Sequence, residues 1–166
     1  MHTENLEIER KFLLRGLPKL DMQEPPKIIE QCYVWDDVLQ NHIRYRAERT
    51  HGGEESFYTT IKTPVEGEGS GAIVNNEAEE DIVKDEFVKQ FRASSKRIGK
   101  LRYIMNHQGL KWEIDKFMNM DLVTVEVELE SESQEFEMPQ SIKDVLIMEV
   151  SEFEEFKNYN LADSME

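Results

Sequence analysis

Along much of the chain, apolar and charged residues alternate one for one. Leu6, Ile8 and Phe12 are interleaved with Glu7, Glu9 and Lys11. Successive side chains of a β-strand point to opposite faces, so these three charges share one surface and the apolar residues the other. The pattern returns with Arg44 and Arg46 among Ile43, Tyr45 and Ala47, and with Lys62 after Ile61. Glu77 and Glu79 flank Ala78, and Lys100 and Arg102 flank Leu101. Glu113 and Asp115 alternate with Trp112 and Ile114, and Glu126 and Glu128 with Val125, Val127 and Leu129. One such strand is an ordinary solvated sheet face. Here the pairs after the first strand are each of one sign, and the sign changes from strand to strand.

The same reading predicts strands over Leu6 to Leu14, Ile28 to Trp35, His42 to Arg49, Ser56 to Thr63, Asn75 to Ile82, Lys96 to Asn106, Leu110 to Phe117 and Leu122 to Ser131. Val83, Phe87, Val88 and Phe91 repeat at helical spacing and predict an amphipathic helix over Lys84 to Phe91. Further helices are expected over Ser141 to Met148, after Pro139, and over Glu154 to Leu161. Thr63 to Gly71, with Pro64 and three glycines, reads as a hairpin loop. It lacks the Lys and Ser/Thr of a phosphate-binding P-loop, and no helix pattern follows it.

Length and charge narrow the function. At 166 residues the chain suits one domain, 1–166. A net charge of -15 opposes sequence-independent binding to nucleic acid or to an anionic membrane. No apolar run has spanning length and no signal-peptide pattern is present. Cys32 is the one cysteine, which predicts a buried thiol in a reducing, cytoplasmic setting. His2, His42, His51 and His107 lack metal-ligand spacing, and no nucleophilic-serine motif occurs.

Glu7-Ile8-Glu9-Arg10-Lys11-Phe12 resembles the ExExK motif that opens the CYTH, or triphosphate tunnel metalloenzyme, superfamily of inorganic triphosphatases, thiamine triphosphatase and class IV adenylate cyclases. Arg44-Tyr45-Arg46, Thr60-Ile61-Lys62, Glu77-Ala78-Glu79, Lys100-Leu101-Arg102, Glu113-Ile114-Asp115 and Glu126-Val127-Glu128 follow in family order. Phe156 to Ala162 resembles the closing segment. The alternation alone permits two closures, with the charges outward around an apolar core or inward around a polar tunnel. The resemblance implies the second: an α+β fold in which a closed eight-stranded antiparallel β-barrel carries its helices outside.

Six cations in that lumen (Lys11, Arg44, Arg46, Lys62, Lys100 and Arg102) face eight anions (Glu7, Glu9, Glu77, Glu79, Glu113, Asp115, Glu126 and Glu128), which leaves a formal charge of -2. Crowded carboxylates disfavour one another and repel a phosphate chain, and two divalent cations remove the conflict. Oxygen ligands suit Mg²⁺ or Mn²⁺. By resemblance, the six cations hold phosphates and the eight carboxylates hold metal. Glu7, Glu9, Lys11, Lys100 and Arg102 are then expected to serve the chemistry itself. The implied function is metal-dependent hydrolysis of a small-molecule triphosphate, inorganic tripolyphosphate first. The alternatives are cyclisation of ATP and a non-catalytic polyphosphate- or nucleotide-binding module. Asn75 stands where many members have Arg. Trp35 is the one tryptophan near the Arg44–Arg46 strand, so no base-stacking pocket is expected. Glu132, beyond the last strand of the set, is expected to be idle.

Overall fold

A computed structural model describes residues 2–20, 24–118 and 120–162. Nine strands follow in chain order: β1 (His2–Leu14), β2 (Lys27–Asp36), β3 (Asn41–Arg49), β4 (Glu55–Pro64), β5 (Ile73–Asp81), β6 (Arg97–His107), β7 (Leu110–Phe117), β8 (Val123–Leu129) and β9 (Leu146–Glu149). Helix α1 (Lys84–Ala93) joins β5 to β6. Helices α2 (Gln140–Lys143) and α3 (Asn158–Ala162) flank β9, with a 3₁₀ turn at Glu154–Phe156 before α3.

All strand pairs are antiparallel. They run β5-β4-β3-β2-β6-β7-β8-β1, and a β1–β5 pairing closes the ring into an eight-stranded barrel. Strand β1 is long enough to be shared. Its first part pairs with β5 from His2 to Glu9, and its last residues, Phe12 to Leu14, take β9 as the ninth strand.

The two-residue period sends the charged set inward and the apolar set outward. Outside the wall, Ile8, Phe12, Trp112, Ile114, Val125 and Val127 are buried against Met138 and Ile142, with Phe136 packed beside them. Burial at about 25 cal/mol per Å² of apolar surface makes this outer cluster the main source of cohesion, because the polar lumen contributes no apolar core of its own. Helix α1 covers another side with Phe87, whose ring lies 5.6 Å from that of Phe57. A smaller cluster of Tyr33, Ile98, Phe117, Leu161 and Ala162 closes one end, so α3 caps the barrel there. Leu6, at 53% exposed, is left uncovered on the outer face.

The helix expected over Ser141 to Met148 is a correction. Only Gln140–Lys143 is helical, and Leu146–Glu149 is a strand. Where β5 ends opposite Glu9, the backbone of Phe12 to Leu14 is left with unpaired polar groups. The aliphatic run Val145-Leu146-Ile147 supplies partners for them. The Arg15 amide donates to Val145 O at 2.8 Å, and the Val150 amide to Lys11 O at 2.8 Å. The expected helix over Glu154 to Leu161 is split at Lys157, whose backbone is extended. Among the described residues, no helix is long and apolar enough to cross a membrane.

Candidate active site

The barrel encloses a cavity of about 880 Å³. Twelve of the fourteen residues singled out from the sequence line it: Glu7, Glu9, Lys11, Arg44, Arg46, Lys62, Glu77, Glu79, Arg102, Glu113, Glu126 and Glu128. Lys100 and Asp115 do not. They are 0% and 1% exposed and form an ion pair of 2.8 Å behind the wall. Four further charged residues line the cavity: Lys27, Glu48, Lys111 and Lys157. Among the described residues the lining is therefore eight cations against eight anions, neutral in formal charge rather than -2.

The two signs are segregated. On the acidic side, Glu9 of β1 lies directly opposite Glu128 of β8, and Glu126 of β8 directly opposite Glu113 of β7. Like charges facing across a strand pair are destabilising unless a cation intervenes. Lys62 Nζ stands 2.9 Å from Glu7, 3.8 Å from Glu77 and 4.0 Å from Glu9. Lys11 Nζ lies 3.8 Å from Glu126 and donates to Phe156 O at 2.5 Å, so the segment before α3 steadies a lumen cation. Burial pushes Glu7 up to about 7, against the pull of Lys62. Burial, together with the Glu126 charge, also holds Glu9 well above the usual carboxylate range. Glu126 is buried too, but Lys11 and Lys100 hold it down at about 2. No three carboxylate, imidazole or thiol groups among the described residues converge into a ready-made metal centre. The carboxylates instead turn toward the lysines.

The basic side is built from β3, β4 and β6. Arg44 donates to Thr60 Oγ1 at 2.8 Å, while its buried Nε has no hydrogen-bond partner among the described residues. Arg46 Nε donates to Gln31 Oε1 at 2.9 Å, and its Nη1 reaches Tyr58 Oη at 3.3 Å and Glu48 at 3.5 Å. Arg102 forks onto Asp115 through Nε at 2.8 Å and Nη2 at 2.9 Å, and its Nη1 meets Glu113 at 3.0 Å. A neutral cavity with a cationic wall facing an anionic one suits a bound polyanion together with small cations.

The inorganic triphosphatase of Acetivibrio thermocellus is 28% identical over 136 residues, which cover 80% of each chain. Two crystal structures of the protein NE1496 superpose with TM-scores of 0.61 and 0.59 at 28% and 26% identity. They cover 96% and 95% of this chain and 99% and 94% of that one, and the second names NE1496 an inorganic triphosphatase. A Bacillus halodurans protein at 13% identity shares the fold alone, with a TM-score of 0.52 over 78% of this chain and 83% of that one. No protein-family model matches the chain. The likeness to NE1496 runs over nearly the whole length of both chains, and it joins the charged strands already described in family order around a closed barrel. In sequence and in fold the chain is similar to inorganic triphosphatases.

The barrel also carries a feature that the sequence reading missed. Trp35, His42 and Tyr159 form a contiguous ring cluster that lines the cavity. His42 is stacked on Tyr159 at 5.1 Å and meets Trp35 edge-on at 5.1 Å, with Tyr33 6.3 Å from His42. An aromatic surface therefore does exist next to the Arg44 strand, contrary to the expectation drawn from Trp35 alone. His42 shares its strand parity with Arg44 and Arg46, which was the available signal. Tyr159 comes from the far end of the chain and had none.

Proposed function

We propose that the protein hydrolyses a phosphoanhydride bond of a small-molecule triphosphate with the help of two divalent cations, Mg²⁺ or Mn²⁺, and that inorganic tripolyphosphate is its substrate. Water and tripolyphosphate would give pyrophosphate and phosphate. The single observation that carries the reading is one cavity lined by Arg44, Arg46 and Arg102 together with Glu9, Glu113, Glu126 and Glu128, in which the buried Arg44 Nε has no partner among the described residues. An unsatisfied buried donor costs about 1–3 kcal/mol, and a phosphate oxygen satisfies it. The names of the two triphosphatase relatives support the same substrate class.

The donor set fits the proposed metals. Glu9, Glu113, Glu126 and Glu128 make an all-oxygen face of opposed like charges, and Glu7, Glu9 and Glu77 already surround one positive atom, Lys62 Nζ. These residues, with Glu79 at the end of the same face, would hold the ions, which supply charge neutralisation and activation of water. Arg44, Arg46 and Arg102 would grip phosphoryl oxygens, the guanidinium fork suiting them better than a point charge does. Lys11 and Lys62, which stand among the carboxylates, would neutralise charge on the phosphate chain near the ions. Phosphoryl transfer asks chiefly for such positioning and neutralisation.

A second reading rests on the aromatic cluster. Trp35 and the His42–Tyr159 stack at the cavity edge favour a triphosphate that ends in a flat ring, so ATP belongs in the test as a substrate for hydrolysis or cyclisation. Release of phosphate from tripolyphosphate, pyrophosphate and ATP, with Mg²⁺, with Mn²⁺ and in excess chelator, decides between them. Turnover is expected only with metal. Tripolyphosphate should exceed pyrophosphate in kcat/KM by about a hundredfold, equivalent to about 2.7 kcal/mol of transition-state stabilisation from the extra phosphate contacts. Full activity in chelator overturns the metal-dependent reading, and cyclic AMP as the main product from ATP replaces hydrolysis with cyclisation.

A further inference from the structure

We propose that Asp115 is a positioning residue, one that sets the guanidinium of Arg102 from behind the cavity wall without touching metal. The inference rests on the hydrolase reading above. Three charge-assisted contacts engage the two oxygens of Asp115. Arg102 Nε donates to Oδ1 at 2.8 Å, Arg102 Nη2 to Oδ2 at 2.9 Å, and Lys100 Nζ stands 2.8 Å from Oδ2. The carboxylate is 1% exposed and does not line the cavity, whereas Arg102 does. Its neighbours explain the seal. Asp115 faces Thr124 across β7 and β8, and Lys100 faces Phe117 across β6 and β7, with the Lys100 ammonium 5.7 Å from the ring. Here the lumen narrows into the apolar end cluster of Ile98, Phe117 and Leu161.

Two consequences follow from the geometry. A carboxylate that is 1% exposed, forked by Arg102 and paired with Lys100 presents no oxygen to the cavity for a divalent ion, so the metal-holding face stops at Glu113, Glu126 and Glu128. An Arg fixed bidentately along one edge leaves Nη1, which meets Glu113 at 3.0 Å, as its lumen-facing donor in a single orientation, and a phosphoryl oxygen would be selected at that position. Lys100 completes the pair as a buried counter-charge to Asp115 and takes no direct hold on substrate.

The test compares Asp115→Asn with Glu126→Gln in two measurements: Mn²⁺ binding to the substrate-free protein by titration calorimetry, and the kinetics of tripolyphosphate hydrolysis. For Asp115→Asn, the Mn²⁺ Kd should stay within twofold of the wild-type value while KM for tripolyphosphate rises at least tenfold, more than kcat falls. Glu126→Gln should weaken Mn²⁺ at least tenfold. Because Asp115→Asn leaves Lys100 buried without its partner, a double variant, Lys100→Met with Asp115→Asn, removes the pair as a unit and should give the same split. A tenfold loss of Mn²⁺ affinity in either Asp115 variant overturns the proposal, and so does an unchanged KM in both. Absence of Mn²⁺ binding and of metal-stimulated turnover in the wild-type protein would instead sink the hydrolase reading, independently of Asp115.

Discussion

Glu7 shows what burying a carboxylate does at the residue scale. Burial raises it to about 7, whereas in the unfolded chain it titrates near 4.5. Between those values the folded state binds the extra proton, so the Glu7 contribution to stability is present below about pH 4.5 and is lost as pH rises through 7. One group can contribute a slope of at most about 1.4 kcal/mol per pH unit. In metal-free protein the Tm should therefore decline between pH 5 and 8, and Glu7→Gln should flatten that decline while weakening Mg²⁺ binding. An unchanged slope in the Gln variant would show that Glu7 does not hold the proton. Added Mg²⁺ or Mn²⁺ should raise the Tm most at pH 8, where the carboxylate is already ionised and no proton has to be displaced.

At the scale of elements, the loop between β4 and β5 is anchored by a residue expected to be idle. Glu132 receives the Glu68 amide on both oxygens, at 3.0 and 2.9 Å, and the Ser70 hydroxyl at 2.8 Å. A Cβ on Gly67 would lie 2.7 Å from Glu132 Oε1, so the missing side chain is what lets the loop wrap this carboxylate. The glycine-rich stretch does cradle an anion, and that anion is internal. Gly67→Ala and Glu132→Ala should each cost about 1 kcal/mol, and the double variant should cost little more than either alone, because both break the same contact. Additive losses in denaturant unfolding would show the two residues to be independent. Strand parity was legible throughout, since a period of two divides each strand into two faces, and it extended further than was read. Glu48 continues the face of Arg44 and Arg46, and Lys111 that of Glu113. The strand β9 was not legible as a strand, because Val145 to Met148 is apolar at either period and only the open edge of β1 decides its fate. The seal over Lys100 and Asp115 was hidden too. It depends on which end of the barrel the C-terminal segment closes, and alternation carries no information about depth.

For the whole molecule, the separation of charge matters more than its total. The cavity lining is neutral and the Lys100–Asp115 pair cancels, so the net -15 resides on the rest of the chain. A polyanionic substrate therefore approaches a like-charged body before it reaches the arginines. Salt screens such exposed fields over a Debye length of about 10 Å at 0.1 M. At fixed free Mg²⁺, kcat/KM for tripolyphosphate should rise about severalfold from 20 to 150 mM KCl, the reverse of electrostatic steering, and a monotonic fall would place the field elsewhere. The closure of the barrel also joins residues far apart in the chain at β1. Its amide at Lys11 donates to Ser151 Oγ at 2.9 Å, and the Lys11 ammonium reaches the Phe156 carbonyl, 145 residues along the chain. The first strand thus has partners in β5, β8 and β9, so the opening residues stay uncommitted until the closing ones arrive. Pairings so distant in sequence must overcome loop-closure entropy before they are rewarded, which puts folding in the range of milliseconds to seconds typical of non-local β topologies. The contact that sets Lys11 in the lumen is therefore the same contact that joins the two ends of the fold, so a change that frees the closing segment also frees a cation of the cavity.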